Sequence, residues 1–207
     1  MAFDLSRRDL LTGALALGAA ACHAPLAQAS PRPATDAAKA LIAAARRQIG
    51  VTMAYDPAYS TLAFPNGDVP RERGVCTDVV IRAFRDALGL DLQSLVHRDM
   101  AANFAAYPRR WGLARPDRNI DHRRVPNLER FWERSGARLP LPAQDSLWQP
   151  GDIFTSLVGG NLPHTGIVSD RLSASGAPMV IHNIGGGAHE DELAVAQKLT
   201  RRFRWRV

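Results

Sequence analysis

Cys76, His164 and His182 are the residues of this 207-residue chain whose types and settings suit joint chemistry. Cys76 stands in Arg73-Gly74-Val75-Cys76-Thr77-Asp78-Val79-Val80, where a glycine-containing loop feeds an apolar helix. Backbone N–H groups in a first helical turn lack intrahelical partners, and the helix dipole favours negative charge there. Both effects predict a thiolate with a lowered pKa, and the same N–H groups can bind an oxyanion. The competing role for a free cysteine is a small buried hydrophobe. A nucleophilic cysteine also needs a base within reach. Pro163-His164-Thr165-Gly166-Ile167-Val168-Ser169 offers one at the head of an apolar strand. Val180-Ile181-His182-Asn183-Ile184 offers a third group on the next strand. If the two strands form a hairpin, His182 or Asn183 can orient His164 through a ring-nitrogen hydrogen bond. Side chains alternate faces along a strand, so only one of them can, and His182 is preferred.

Other polar residues have weaker signals. Asp78 stabilises the helix dipole, or bonds a loop or a substrate ammonium. Asp121-His122-Arg123-Arg124 brings a guanidinium fork suited to a substrate carboxylate, so Asp121 and Arg123 join Asn183 as candidate binding residues. His97 and His189 are taken as surface residues. The histidines and Asp152 lack H-x-x-x-H or C-x-x-C spacing, so no metal and no cofactor is expected.

Helical periodicity and caps predict the elements that must hold these groups. A helix capped by Asp36 runs from Ala37 to Gln48, and a long ordered loop fills residues 51–75. Further helices cover Cys76 to Leu88, ended by Gly89, then Leu92 to Tyr107 and Asn127 to Ser135, with an irregular stretch from Pro108 to Arg124. Strands follow at Asp152–Val158, Thr165–Ser169, Met179–Ile184 and Arg201–Val207, the last an amphipathic edge strand. Helices first and strands later predict an α+β fold, helices packed on an antiparallel sheet.

The N-terminus sets the compartment. Arg7-Arg8 precedes an apolar run from Leu10 to Ala21, shorter than the roughly 20 residues of a spanning helix. Ala27-Gln28-Ala29 completes the pattern of a twin-arginine signal peptide. The expected organisation is a signal peptide over 1–29, a flexible lead-in over 30–35 and one domain over 36–207. The expected location is periplasmic, with no stable membrane span. Lipidation at Cys22, after Ala19-Ala20-Ala21, is the less favoured alternative. Cleavage after Ala29 leaves Cys76 as the one cysteine, so no internal disulfide can form. The formal net charge of +6 favours an anionic partner. For an exported chain that means the cell envelope and not nucleic acid.

The Cys, His, polar-residue order on helix, strand and strand resembles the NlpC-type papain-like cysteine peptidases and amidases of the cell wall. Gln149-Pro150-Gly151-Asp152-Ile153-Phe154 is similar to the strand start that precedes their catalytic histidine. Over roughly residues 40–205 the chain resembles the bacterial YijF-like domains of uncharacterised function more closely. Matching stretches are Gly67-Asp68-Val69-Pro70, Gly74 to Val80, Asp121 to Asn127 and His182-Asn183-Ile184-Gly185. The resemblance implies a papain-like fold with Cys76, His164 and His182 catalytic. NlpC-type enzymes carry a tyrosine before the cysteine, for which Tyr55 is the counterpart. They carry Asp-Cys-Ser-Gly where this chain has Val75-Cys76-Thr77-Asp78, a departure that touches specificity more than the nucleophile. The expected function is periplasmic hydrolysis of an amide bond in peptidoglycan peptides. The alternatives are a thiol acyltransferase or amidase on another envelope substrate, or a non-catalytic wall-binding module.

Overall fold

Helix α1 (Asp36–Arg46) begins where the Thr35 hydroxyl accepts the Ala38 N–H at 3.2 Å, so Thr35 is the cap and Asp36 the first helical residue. The structure, a computed structural model, describes residues 33–205. The signal-peptide pattern, Cys22 and the cleavage site lie outside them. Helix α2 (Cys76–Leu88) ends at Gly89, whose φ of +65° suits glycine in a left-handed cap. Its Val79, Val80, Ala83 and Phe84 are fully buried against Ile42 and Ala45 of α1 and against the sheet. Helices α3 (Leu92–Asn103) and α4 (Val125–Arg134) flank this pair. A 3-10 turn over Phe104–Ala106 cuts α3 short of the Tyr107 end that periodicity predicts.

Strands β1 (Ala54–Tyr55) and β2 (Arg73–Gly74) form a small parallel pair beside α2. The main sheet is antiparallel throughout and has six strands: β3 (Arg138–Leu139), β4 (Ile153–Val158), β5 (Leu162–Leu172), β6 (Pro178–His182), β7 (His189–Glu192) and β8 (Lys198–Phe203). Their order is β3-β8-β4-β5-β6-β7. Alternation along the strands sends Ile153, Ile167, Ile181 and Phe203 to the helices. It sends Phe154, Val168 and Val180 to a second cluster with Trp148 and Leu193. The fold is α+β, helices packed on an antiparallel sheet.

Two strand expectations are corrected. The segment from Arg201 is not an edge strand, because β3, too short to show a pattern, pairs along its outer side. The sheet's edges are β3 and β7, the latter made of four polar residues without apolar alternation. Among the described residues no helix is long and apolar enough to cross a membrane.

Candidate active site

Cys76 opens α2 at the floor of a cleft of about 370 Å³. The loop before it is tied down from below. Arg82, fully buried one face along α2, meets the Asp68 carboxylate at 3.0 Å and the carbonyls of Val69 and Arg73 at 3.1 and 3.0 Å. Asp78 accepts the Val75 N–H at 2.7 Å and a two-point bond from Arg123 at 2.9 Å each. Asn183 donates to the Gly74 carbonyl at 3.0 Å and accepts from Gly185 N–H. Asp121 takes the Asp117 N–H and the Arg124 guanidinium. Asp78, Asp121 and Asn183 are therefore buried under the cleft, engaged by the protein itself, although the sequence offers them as binding groups. Arg123 reaches the cleft wall with its charge matched by Asp78.

Tyr55 also lines the cleft, with its hydroxyl beside the Cys76 sulfur. The remaining wall combines apolar residues, among them Trp111, Ile120 and Pro126, with arginines. Arg110 stands there, and Arg124 lies over the Trp111 ring at 4.1 Å. No carboxylate lines this cleft among the described residues. A cavity of about 440 Å³ between the start of α1 and Trp205 lies away from Cys76.

The histidines meet across β5 and β6. His164 Nε2 lies 2.8 Å from His182 Nδ1, and both rings pack against Phe154. Gly166, paired with His182, permits this approach. A Cβ there would stand 2.7 Å from the Ile181 carbonyl oxygen and 2.8 Å from the His182 Cβ. His182 Nε2 in turn lies 3.1 Å from Asp191 Oδ2 on β7. The acceptor carboxylate places the His182 proton on Nε2. Burial holds His182 below its usual pKa, so the ring is neutral and its Nδ1 accepts from His164 Nε2. His164 Nδ1 then carries the free lone pair. Sequence analysis missed Asp191, because β7 has no apolar alternation to announce it.

The sulfur lies against the backbone amides of Thr165 and Thr77, which pull its pKa down, but burial dominates and pushes it up to about 11. This corrects the expected low thiol pKa: the helix start is there, but so is a shell that excludes water. Burial, and secondarily His182, push His164 down to about 3. The resting residues are thus a thiol and a neutral imidazole. No hydrogen bond joins Cys76 to His164. Thr165 lies against the sulfur and Pro163 lines the same cleft, and strand alternation turns His164, between them, to the other face of β5 with His182 and Phe154. Two further expectations change. His97 is half-buried, edge-on to Phe64, and His189 is half-buried beside Asp191, so neither is a plain surface residue.

Comparison with known proteins bears on the domain as a whole. A family model described as "Domain of unknown function (DUF1287)" matches residues 42–205. An uncharacterised protein of Escherichia coli (strain K12), YijF, is 52% identical over 163 residues, 79% of each chain. The site therefore sits within a shared domain: the chain belongs to the DUF1287 family, with YijF as a relative.

Proposed function

We propose that the protein is an exported cysteine hydrolase of the papain-like, NlpC type that cleaves an amide bond in peptidoglycan peptides. The observations that carry this reading are the proton-ordered chain Asp191–His182–His164 and a buried cysteine at a helix start beside Thr165, the strand neighbour of His164. Such an order leaves His164 Nδ1 as the basic atom. The twin-arginine pattern supports an envelope location, and a cleft with arginines and no carboxylates suits the anionic peptides of the wall.

The resting pair is neutral, so attack and proton transfer occur together. Cys76 Sγ bonds to the amide carbon while its proton passes to His164 Nδ1. The two residues make no contact in the resting structure, so the mechanism requires His164 to turn toward the sulfur when substrate binds. The carbonyl oxygen becomes an oxyanion beside the unpaired N–H groups of the α2 first turn and the Tyr55 hydroxyl. His164 returns the proton to the leaving amine, giving a thioester. Water, deprotonated by His164, then releases the acid and regenerates the thiol.

The test is incubation of the mature protein with soluble muropeptides, reading new amine termini by mass spectrometry. Wild type is expected to cut one peptide bond type. Cys76→Ala is expected to be inactive, and His164→Ala slower by about 10²–10⁴-fold. Cleavage that persists in Cys76→Ala overturns the reading.

A further inference from the structure

At the edge of the sheet, two histidines converge on one carboxylate oxygen. His182 Nε2 is 3.1 Å and His189 Nε2 is 2.9 Å from Asp191 Oδ2. The sheet builds the cluster. His182 and His189 face each other across the β6–β7 pair, and Asp191 is two residues further on the same face. The three donor atoms lie within 4.8 Å of one another. A tetrahedral zinc site, with bonds of 2.0–2.2 Å, holds its donors about 3.4 Å apart, so each histidine need move from the Asp191 oxygen by only a few tenths of an ångström.

Proton accounting points the same way. His189 Nδ1 is 2.8 Å from the Gly187 carbonyl oxygen, an acceptor only, so Nδ1 carries a proton. Its Nε2 faces a carboxylate oxygen, also an acceptor. Two acceptors thus face the two nitrogens of this one ring. A cation between His189 Nε2 and Asp191 resolves the mismatch, and the carbonyl bond on Nδ1 is the outer-sphere partner that orients a metal-binding histidine. Asp191 and His189 are about one-third exposed, which leaves a way in, while His182 closes the inner side.

We propose that His182, His189 and Asp191 bind a divalent cation of the zinc class, leaving one position open, and that the bound ion switches off the hydrolase. Two imidazoles and one carboxylate suit zinc, cobalt and nickel better than magnesium or calcium. Binding stands on this geometry alone. The switch rests on the proposed hydrolase function and follows from proton placement. A metal on His182 Nε2 moves the ring proton to Nδ1. That N–H then donates to His164 Nε2, and the His164 proton moves to Nδ1, the atom that must receive the thiol proton. The base is occupied without any change of fold.

The experiment is a titration of tag-free mature protein with zinc by calorimetry and with cobalt by visible absorption. One equivalent is expected to bind with the spectrum of a low-coordinate nitrogen–oxygen site. His189→Ala and His189→Gln are expected to weaken binding by at least about 10–100-fold, the loss seen for lesser changes around metal sites. Cys76→Ala is expected to bind as wild type does. Absence of stoichiometric binding overturns the site. So does binding lost in Cys76→Ala and kept in the His189 variants, which places the ion on the nucleophile. In the muropeptide assay, zinc is expected to inhibit wild type and to spare the His189 variants, each compared with its own zinc-free rate. Binding without inhibition overturns the switch and keeps the site. Absence of any cleavage bears on the hydrolase reading only, since the titration needs no turnover.

Discussion

Asp191 decides where the protons sit in the histidine chain, although it touches neither the cleft nor the thiol. An asparagine in its place keeps the shape but lets His182 turn its lone pair outward, which reverses the donor order at His164. Asp191→Asn is expected to lower kcat by about 10²–10⁴-fold with little change in KM, comparable to losing the base, because the proton then sits on the atom that must receive it. A raised KM with kcat intact would contradict the positioning role. Cys76 makes a separate prediction through its burial. Its folded pKa, about 11, stands above the ordinary 9.0, so the native state holds the thiol proton more tightly than the unfolded chain does. The stability this contributes is fully present below the unfolded value and is lost as pH rises through about 9 to 11. Two pKa units correspond to about 3 kcal/mol at the upper limit. Chemical denaturation at pH 8 and at pH 11 is expected to show a larger alkaline loss for wild type than for Cys76→Ala. The difference between the two proteins cancels the alkaline groups that do not touch Cys76. Equal losses would mean the thiol is not held protonated.

At the scale of elements, the site depends on close approach between β5 and β6 and on the buried ion pair beneath α2. Gly166→Ala forces a Cβ against the Ile181 carbonyl and His182, an overpacking cost of about 1–3 kcal/mol with a displaced His182. The variant is expected to lose activity in larger proportion than stability, measured by denaturant midpoint beside cleavage rate. Arg123→Ala strands the Asp78 carboxylate in the interior and is expected to cost about 3–5 kcal/mol, whereas the double replacement Arg123→Met, Asp78→Ala recovers part of it. The helix that presents Cys76 is legible in the sequence at both ends, because apolar periodicity and Gly89 bracket it. The facing histidines are legible from the hairpin alternation, which also separates His182 from Asn183. What stays hidden is tertiary. Asp78, Asp121 and Asn183 are polar residues near the site, and nothing local says that their partners are Arg123, Arg124 and the Gly74 carbonyl. The thiol pKa is hidden for the same reason, since burial is set by residues far along the chain.

For the whole molecule, the net charge bears on the cleft. A chain of net charge +6 carries Arg110, Arg123 and Arg124 on the cleft wall, the last two paired from beneath with Asp78 and Asp121, and no carboxylate lines the cleft among the described residues. Arg110→Ala is expected to raise KM for carboxylate-bearing peptides roughly tenfold, the worth of one charge-assisted hydrogen bond, and to soften the dependence of KM on salt. An unchanged KM would remove Arg110 from substrate binding. The membership of the chain in the DUF1287 family assigns the domain, and the chemistry is argued from its residues. The most direct test of that chemistry is rapid acid quenching of the protein with muropeptide during turnover, followed by mass analysis of the peptide that contains Cys76. A thioester adduct on Cys76, accumulating in wild type and absent in Cys76→Ala, is the predicted result. Muropeptide cleavage without that adduct, proceeding equally in Cys76→Ala, would contradict the account.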